Sequence, residues 1–369
     1  MKKPKIKIGI ILGTRPEIIK LSSLIRFCKK NKINYFVIHS NQHYSENMDA
    51  IFFKDLELPK VKYNLNVGSG KHGEQTAKML SKIETILEKE KPSIIFVQGD
   101  TNTVLAGALA AAKMQIPVGH VEAGLRSYDR TMPEELNRLM VDHISDFLFC
   151  PTQKQKEILM AEQIPNKKIF IVGNTVVDAA FEGIKIAEKK VNILKKLEIE
   201  KDKYFLLTMH RPNNVDNKKT LTEILKALAT IYQKYKLPIV FPIHPRTESK
   251  IQEFKLKLPQ GILKIEPLGF LEFLQLEKNA KLIITDSGGL QEEACIFKTP
   301  CVTIRENTER PETVEVGGNI LAGTSEKKIL TSVAKMIGKK RVWKNPFGNG
   351  KTAEKILKII RKGAGKGTK

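Results

Sequence analysis

The sequence predicts an α/β protein built from two doubly wound parallel sheets. Short apolar runs alternate with segments of helical length throughout the chain, as they do when helices cover both faces of a parallel sheet. The 369 residues are about twice the usual length of one domain, which favours two domains of comparable size. With 41% hydrophobic and 28% charged residues the composition is that of a globular protein, and no segment reaches the roughly 18 apolar residues of a membrane span.

Apolar runs predict the strands of both halves. In the first half they cover residues 6–12, 34–40, 94–98, 117–122, 147–151 and 169–173, and in the second half residues 204–209, 238–244, 263–267, 281–286 and 300–304. Apolar residues at helical spacing predict helices between these runs at residues 16–30, 74–90 and 103–114, and a last helix from residue 353. The same alternation in both halves predicts two similar sheets.

The predicted domain boundary lies near residue 173, after the sixth strand of the first half. This gives a first domain over 1–173, a second over 174–352, and a C-terminal segment 353–369 whose helix packs back on the first domain and whose tail is frayed. No Pro-rich or Gly/Ser-rich linker separates the halves. We therefore expect a short joint, with the domains facing each other across a cleft and the ligand at the carboxyl ends of the strands.

Charge and cysteine usage exclude several functional classes. The net charge is +23, but the lysines are spread along helical segments without interleaved aromatic residues, which favours a solvated basic face over a nucleic-acid site. The four cysteines have no CxxC spacing, so we expect neither zinc nor disulfides. The apolar run after the basic N-terminus is only about six residues long and lacks a cleavage site, so we expect a cytoplasmic protein.

The stretch TDSGGLQEEA at residues 285–294 predicts an anion-binding turn. An apolar strand passes directly into a helix there, and Gly288 and Gly289 allow a phosphate to approach the free amides at the helix N-terminus. Ser287 is placed to cap the helix and donate its hydroxyl, and Glu293 is placed to accept hydrogen bonds from a ribose. An ordinary strand-turn-helix with a serine cap is the alternative interpretation.

A second cationic turn, LGTRPEIIK, opens the chain at residues 12–20. Arg15 lies at the predicted helix start and Lys20 follows about one turn later, so both side chains are placed to bind one negative group. Pro16 is a favoured residue in the first turn of a helix and explains the turn without any function. The two interpretations remain open for Arg15 and Lys20.

Three acids lie at the predicted carboxyl ends of neighbouring elements in the first half. Asp100 follows a buried strand, Glu122 ends the next one, and Glu134 lies one turn before Arg138 on a helix that Pro133 begins. Helix capping by Asp100 and a solvated helix ion pair at Arg138 are the simpler explanations. Convergence of three acids at one sheet edge favours proton-transfer chemistry.

Loops of the second half carry histidine and arginine. His210 ends the first strand of that half beside Arg211, where it is a proton donor, a phosphate ligand or simply a structural residue. Loops that follow later strands of this half contain His244, Arg246, Arg305 and Arg310. Arg310 lies close in sequence to the Ser-Gly-Gly turn, where a guanidinium binds a diphosphate through two hydrogen bonds.

Nine motifs together resemble the non-hydrolysing UDP-N-acetylglucosamine 2-epimerase family, in the form of an archaeal-type member. They run in order from about residue 8 to about residue 357: LGTRPEIIK, NQHYSENM, GDTNTVLAGALAA, VEAGLRS, MPEELNR, GNTVVD, TDSGGLQEEA, NTERPET and NPFGNG. The resemblance implies a GT-B-like pair of Rossmann domains, a homodimer, and a reaction that needs no metal and no nicotinamide. In that reaction UDP leaves C1 as a base takes the C2 proton, and UDP re-adds to a 2-acetamidoglucal to give UDP-N-acetylmannosamine.

The resemblance also implies roles for individual residues. Asp100, Glu122, Glu134 and His210 match the essential acids and the essential histidine of the family, without indicating which acid is the C2 base. The positions that match ligand contacts are Arg15, Lys20, Arg138, Phe273, Ser287, Gly288, Gly289, Glu293 and Arg310. Phe273 is expected against the uracil, although its helical apolar spacing by itself predicts a core residue.

Two departures put regulation of the bacterial kind in doubt. Gln42 and His43 keep a Gln-His pair of the bacterial allosteric substrate site, but VGSGKHGEQ at residues 67–75 replaces its Arg/Gln-rich loop, and HPRT at 244–247 replaces a His-x-Asn-Pro pattern.

Two other functions remain as alternatives. A GT-B glycosyltransferase with a UDP-sugar donor usually needs one catalytic base, and the acid-rich segment 121–138 speaks against it. A nucleotide-sugar sensor would be favoured by loss of one of the essential residues, and none of the four is lost.

Overall fold

The computed structural model describes residues 6–42 and 52–363. The chain divides into two compact units by its internal contacts. The first unit contains Met1–Glu182 together with Phe347–Lys369, and the second contains Gly183–Pro346. Each unit has its own parallel sheet, its own helices and its own apolar core.

The first unit contains a seven-stranded parallel sheet within the described residues. Its strands lie in the order β3-β2-β1-β4-β5-β6-β7. In chain order they are β1 (Lys7–Leu12), β2 (Asn34–His39), β3 (Tyr63–Asn64), β4 (Ile94–Gln98), β5 (Val118–Val121), β6 (Phe147–Cys150) and β7 (Ile169–Ile171). Six of these strands confirm the sequence prediction. The prediction missed β3, a two-residue edge strand that is too short to carry an apolar pattern.

Helices follow nearly every strand of the first unit and supply the other side of its core. They are α1 (Arg15–Lys30), α2 (His72–Glu90), α3 (Asn102–Lys113), α4 (Pro133–Ile144), α5 (Gln153–Ala161) and α6 (Thr175–Lys190), with a short 3-10 turn at Asn166–Lys168. The alanine-rich face of α3 packs against the central strands because small side chains allow a close approach. The predicted helices at 16–30, 74–90 and 103–114 are confirmed.

The second unit repeats the arrangement with six parallel strands among the described residues. Their order is β10-β9-β8-β11-β12-β13. The strands are β8 (Phe205–Thr208), β9 (Ile239–Pro242), β10 (Ile262–Ile265), β11 (Leu282–Thr285), β12 (Cys301–Thr303) and β13 (Asn319–Leu321). Five confirm the prediction, and β13 is a further short edge strand that the apolar pattern missed. The predicted fold class, two doubly wound parallel sheets, is confirmed.

Within the described residues, eight further helices lie in the second unit, which also contains the last residues of α6. They are α7 (Ile193–Lys196), α8 (Pro212–Val215), α9 (Lys218–Tyr235), α10 (Pro245–Glu253), α11 (Phe270–Asn279), α12 (Gly288–Phe297), α13 (Pro311–Glu315) and α14 (Glu326–Ile337). An apolar core lies on each face of the sheet, one beneath α9 and α14 and the other beneath α11 and α12.

The division between the units falls inside helix α6, after Glu182, and not in an extended linker. The last helix, α15 (Thr352–Gly363), belongs to the first unit. Its N-terminus is held by Asp178, whose two carboxylate oxygens accept hydrogen bonds from the backbone amides of Thr352 and Ala353, each at 3.1 Å. A carboxylate at that position satisfies free amides and complements the helix dipole.

None of the helices in the part of the chain that the structure describes is long and apolar enough to cross a membrane. All four cysteines are buried and free, as small apolar core residues are. Burial raises the pKa of each thiol to about 12, so the thiolate form is suppressed at neutral pH.

Candidate active site

Asp100 lies in the turn between β4 and α3. Gly99 has φ +87°, a left-handed conformation that glycine adopts without cost, and the chain reverses there before Asp100. The residue that caps α3 is Thr101, whose hydroxyl oxygen accepts from the Val104 amide. Because Thr101 caps the helix, the carboxylate of Asp100 is left for other contacts, and helix capping does not explain it.

Arg138 on α4 binds this carboxylate directly. Its Nε and Nη2 atoms donate to Oδ2 of Asp100 at 2.9 and 2.5 Å, and its Nη1 donates to Glu135 at 2.7 Å. Glu135 is buried and accepts further hydrogen bonds from Ser127 and Tyr128. Burial would raise the pKa of Glu135, but these donors and the guanidinium outweigh it and lower the pKa. The helix ion pair at Arg138 is therefore with Glu135, and it is buried rather than solvated.

Asp100 and Glu134 line one cavity of the first unit, of about 290 Å³. The other residues around it are polar or small: Gln42, Ser69, Gly70, His72, Gln75, Thr101, Asn102, Pro133 and Asn137. Asn137 also donates to the backbone carbonyl of Asp100 at 2.9 Å. The structure thus brings together two of the predicted acids at the mouth of a polar cavity large enough for several atoms of a ligand.

Glu122 lies at the end of β5, beside the strand that precedes Asp100. It is buried and has φ +68°, a conformation that costs a residue with a side chain roughly 1–2 kcal/mol. Its Oε2 accepts from Lys20 Nζ and from Gln98 Nε2, both at 2.5 Å. The contacts with Lys20 and Gln98 thus hold a buried carboxylate at the end of β5.

The first turn of α1 carries Arg15 and the buried acid Glu17. The Arg15 guanidinium lies 5.6 Å from the Phe52 ring centroid. Glu17 accepts from the Gly13 amide at 2.5 Å and from the Thr101 hydroxyl at 2.6 Å. Burial, with a smaller contribution from the nearby charge of Asp100, raises the pKa of Glu17 to about 7 in spite of these hydrogen bonds. Glu17 carries no distinctive sequence signal, because a glutamate at this position of a helix is also a standard capping residue.

In the second unit the Ser-Gly-Gly turn lies between β11 and α12, as predicted. Ser287 occupies the N-cap position, but its side chain makes no capping hydrogen bond, which corrects the expectation that it caps the helix. A Cβ atom at Gly289 would meet nothing within 4 Å, and one at Gly288 would meet only Glu309 at 3.6 Å. Packing does not require glycine at these positions. The open space beside the first amides of α12 is what an approaching phosphate needs.

His210 follows β8 and is held by Asp286. The backbone amides of His210 and Arg211 each donate to Asp286 Oδ2 at 2.9 Å, and His210 Nδ1 lies 3.2 Å from Oδ1. Asn214 donates to the same carboxylate at 3.1 Å. Burial acts against ionisation of Asp286, but the hydrogen bonds from His210 and Arg211 outweigh it and lower the pKa of Asp286. The arrangement holds the backbone at His210 in place, with the imidazole ring beside the Asp286 carboxylate.

A second cavity, of about 320 Å³, lies wholly in this unit. Five of the predicted residues line it: His210, Phe273, Ser287, Gly289 and Glu293. His244, which sequence reasoning named only as a residue at a strand end, lines it as well, and its ring centroid lies 5.5 Å from that of His210. Burial and the neighbouring His210 lower the pKa of His244. The proximity of these two imidazoles, which follow the adjacent strands β8 and β9, can be seen only in the fold.

Arg310 and Glu293 are each set against a buried carboxyl group. Arg310 Nε lies 3.0 Å from Oε1 of Glu292, which is buried on α12. Behind Glu293 lies Glu277, which is fully buried; burial and the neighbouring Glu293 carboxyl raise the pKa of Glu277 well above its usual range. Glu277 is therefore harder to ionise than an exposed glutamate, and in its protonated form it can donate to Glu293.

The predicted residues thus form two groups, one in each unit. Asp100, Glu122, Glu134, Arg138, Arg15 and Lys20 belong to the first, and His210, Phe273, Ser287, Gly288, Gly289, Glu293 and Arg310 to the second. His43 of the Gln-His pair lies outside the described residues, whereas Gln42 accepts from Thr103. Over 6–42 and 52–363, no cluster of three or more His, Cys, Asp or Glu side chains is arranged to hold a metal ion.

Comparison with known proteins gives one consistent result. The UDP-N-acetylglucosamine 2-epimerase of Methanocaldococcus jannaschii is 59% identical over 364 residues, covering 97% of this chain and 99% of that protein. A crystal structure of M. jannaschii UDP-GlcNAc 2-epimerase in complex with UDP-GlcNAc and UDP has a TM-score of 0.83 to this structure, at 59% sequence identity. The match covers 96% of this chain and 99% of the chain in the crystal structure. The UDP-2,3-diacetamido-2,3-dideoxy-D-glucuronate 2-epimerase of Pseudomonas aeruginosa is 39% identical over 360 residues, which cover 96% of this chain and 99% of that protein.

The match extends over almost the whole chain, and it includes both groups of polar residues. The sequence model of the family described as UDP-N-acetylglucosamine 2-epimerase matches residues 26–361. The high identity to a methanogen protein also confirms the archaeal type that the motifs indicate. The chain belongs to the UDP-N-acetylglucosamine 2-epimerase family.

Proposed function

We propose that this protein catalyses the reversible epimerisation of UDP-N-acetylglucosamine at C2, with UDP-N-acetylmannosamine as the product. Family membership supports 2-epimerase activity on UDP-N-acetylglucosamine. The observation that carries the proposal is the cavity lined by Asp100 and Glu134, with Arg138 fixing the Asp100 carboxylate. Acids held at a cavity in this way are suited to moving a proton that is bound to carbon.

The chemistry that we propose is redox-neutral. A carboxylate of the first unit takes the C2 proton, the C–H electron pair forms a C1=C2 double bond, and the C1–O bond breaks with its electron pair leaving on UDP. The 2-acetamidoglucal remains bound. UDP oxygen then re-adds at C1 while an acid delivers a proton to the opposite face of C2. Two faces require two proton-transfer groups, and Asp100, Glu122 and Glu134 are the candidates.

We assign binding of the UDP portion to the second unit. The free amides of α12 beside Gly288 and Gly289 bind the diphosphate, and Arg310 supplies positive charge. Glu293 accepts hydrogen bonds from the ribose hydroxyl groups, and Phe273 packs against the uracil in the same cavity. Arg15 and Lys20 of the first unit supply further cationic contacts to the substrate.

His210 is proposed to act on the departing diphosphate. Its imidazole lines the same cavity and lies beside the Asp286 carboxylate, with 3.2 Å between Nδ1 and Oδ1. A hydrogen-bond donor at that position stabilises the charge that develops on the diphosphate as the C1–O bond breaks.

One relative suggests a different sugar for the nucleotide-sugar substrate. The 39% identical P. aeruginosa protein is named for a diacetamido-glucuronate, whose carboxylate at C5 distinguishes it from N-acetylglucosamine. The higher identity to proteins named for UDP-N-acetylglucosamine supports the neutral sugar. A glycosyltransferase on the same scaffold remains the alternative class, and no residue of the described cavities specifically favours it.

Product analysis by proton NMR tests the proposal. Purified protein is incubated with UDP-N-acetylglucosamine, and separately with UDP-N-acetylmannosamine and with UDP-2,3-diacetamido-2,3-dideoxyglucuronate. We expect both N-acetylhexosamine nucleotides to reach one common mixture without free sugar. Turnover of the glucuronate alone would overturn the substrate assignment. Transfer of the sugar to an added acceptor, with no epimer formed, would replace the epimerase by a transferase.

The homodimer and the cytoplasmic location expected from the sequence are also part of the proposal. Sedimentation equilibrium across a range of protein concentrations tests the first, since a dimer has twice the mass of the 41.6 kDa chain. Fractionation of the source cells tests the second. A monomer at all concentrations, or protein recovered outside the cytoplasm, would contradict the respective expectation.

A further inference from the structure

His120 is a buried histidine that none of the roles above uses. It lies in β5 and is 1% exposed. Both of its ring nitrogens have a close partner: Nδ1 lies 2.6 Å from Asp142 Oδ1, and Nε2 lies 2.9 Å from the backbone carbonyl oxygen of Gly99. Gly99 is the residue immediately before Asp100.

The two partners determine how many protons the ring carries. A carbonyl oxygen and a carboxylate only accept hydrogen bonds, whereas a neutral imidazole has a single N–H. Arg126 holds Asp142 in its ionised form, because its guanidinium lies 2.7 Å from Oδ2, and the same oxygen accepts from the Gly124 amide at 3.2 Å. Both contacts are hydrogen bonds only when both ring nitrogens carry a proton.

A buried cation of this kind needs compensation, and the surrounding side chains supply it. Arg126, whose side chain is also 1% exposed, donates to Asp142 at 2.7 Å and binds Glu162 through two further hydrogen bonds. The network contains two cations, His120 and Arg126, and two anions, Asp142 and Glu162. The buried charges are therefore paired and hydrogen-bonded, which is the condition for their presence in a core.

The network fixes the peptide that carries Asp100. Gly99 donates its amide to Val121 at 3.2 Å and accepts from His120, while the next carbonyl, that of Asp100, accepts from Asn137. Glycine in a left-handed turn is conformationally free, so external hydrogen bonds decide where the next side chain points. Asp100 is held through its backbone by His120 and through its carboxylate by Arg138.

We propose that His120, protonated on both ring nitrogens, is a positioning residue for Asp100: its Nε2–H fixes the Gly99 carbonyl and thereby the turn that presents the Asp100 carboxylate to substrate. This role deepens the proposed epimerase function and rests on it. The hydrogen bond to Asp142 has a different task, because it holds the ring and balances its charge. The two ring nitrogens therefore have separable effects on activity.

Two amide substitutions separate these effects. In His120→Asn the side-chain amide takes the place of Nδ1 and keeps a donor toward Asp142, but the Gly99 carbonyl loses its donor. In His120→Gln the longer side chain takes the place of Nε2 and keeps the donor toward Gly99. Both variants remove the buried positive charge, so they are matched in their electrostatic cost and in chemical type.

Steady-state kinetics of epimerisation, thermal unfolding and UDP binding by calorimetry are measured for both variants. We expect His120→Asn to lower kcat roughly 10- to 100-fold with KM changed by less than about twofold, and His120→Gln to retain a kcat within about threefold of the wild type. UDP binding should stay unchanged in both. Equal kcat in the two variants, or losses of kcat that simply follow the losses of thermal stability, would overturn the positioning role.

A measurement on the unaltered protein keeps the inference testable if a variant fails to fold. Histidine labelled with nitrogen-15 gives distinct signals for protonated and unprotonated ring nitrogens, and a variant at His120 or selective labelling assigns its ring. We expect both ring nitrogens of His120 to carry a proton, because each lies against a hydrogen-bond acceptor. An unprotonated Nε2 would overturn the proposal even if the protein is an active epimerase, whereas absence of epimerisation by the wild type would overturn the proposed function itself.

Discussion

Arg138 donates two hydrogen bonds to a single oxygen of Asp100, Oδ2, at 2.9 and 2.5 Å. The same arginine is fixed by the buried Glu135. Asp100 thus has a fixed orientation and a nearby positive charge, and it lines a cavity. A carboxylate that only stabilised the fold would not need to line a cavity.

The first prediction concerns Asp100→Asn. The amide keeps the shape of the side chain but cannot take a proton, so we expect turnover to fall by about two to four orders of magnitude, or roughly 3–5 kcal/mol of transition-state stabilisation. UDP should bind as before, because the proposed UDP residues are in the second unit. Steady-state kinetics and calorimetry measure the two quantities. Near-normal turnover would remove Asp100 from the mechanism.

The second prediction concerns the anion-binding turn. In Gly289→Ala the new methyl group meets no protein atom within 4 Å, so thermal unfolding should be unchanged or slightly raised, since alanine favours helix. The same methyl group obstructs a phosphate at the amides of α12, and UDP affinity should fall about tenfold or more. Gly338→Ala, at an equally open position after α14, is the control and should bind UDP normally. Normal UDP affinity in Gly289→Ala would place the diphosphate elsewhere.

The third prediction concerns ribose recognition by Glu293. Loss of hydrogen bonds from ribose hydroxyls to a charged acceptor should weaken UDP binding by Glu293→Ala roughly 10- to 100-fold. The affinity for 2′,3′-dideoxy-UDP should be the same in wild type and variant, because that ligand has no hydroxyl groups to donate. Glu272→Ala removes a surface carboxylate of the same unit that pairs with Lys196, and serves as the control. An equal loss for both ligands would show that Glu293 acts on the fold instead.

The fourth prediction concerns the pH dependence that Glu17 gives to stability. Its pKa is about 7 in the folded protein, chiefly through burial, and 4.5 when exposed. A carboxyl group with a raised pKa favours the folded state below pH 4.5, and this contribution is lost as pH rises toward 7. The loss is about 3 kcal/mol at most. Glu17→Gln cannot ionise.

Urea unfolding of the wild type and Glu17→Gln at several values between pH 4.5 and 7.5 isolates this contribution. We expect the free energy of unfolding of the wild type to fall relative to that of the variant as pH rises through this window. A constant difference between the two proteins would mean that Glu17 is ionised throughout, with its three hydrogen bonds outweighing the cost of burial.

Most of the fold could be predicted because the periodic signals were long. Strands such as β1 and β8 are buried on both faces and read as continuous apolar runs, and helices such as α1 carry a clear apolar stripe. The edge strand β3 spans only two residues, and β13 spans three residues of which only Ile320 and Leu321 are apolar, so neither forms an apolar run. Whether these residues form a strand depends on hydrogen bonds to the neighbouring strand, and those hydrogen bonds exist only in the folded protein.

The candidate site was predictable where a residue type follows a strand directly, as Asp100 and Ser287 do. The charge network of His120 was not predictable, because its partners come from a turn, a loop and α4 and meet only after folding. His244 is a similar case, since its place beside His210 depends on adjacent strands β8 and β9. Sequence position locates strand ends, but the pairing of side chains across strands requires the sheet order.

Solvent exchange at C2 tests the central claim most directly. The wild-type protein is incubated with UDP-N-acetylglucosamine in D2O, and the C2 position is followed by NMR. If carboxylates remove and return the C2 proton, both epimers should acquire deuterium at C2, and Asp100→Asn should acquire it far more slowly. Epimers formed with the original hydrogen retained at C2, or unchanged substrate, would contradict the account.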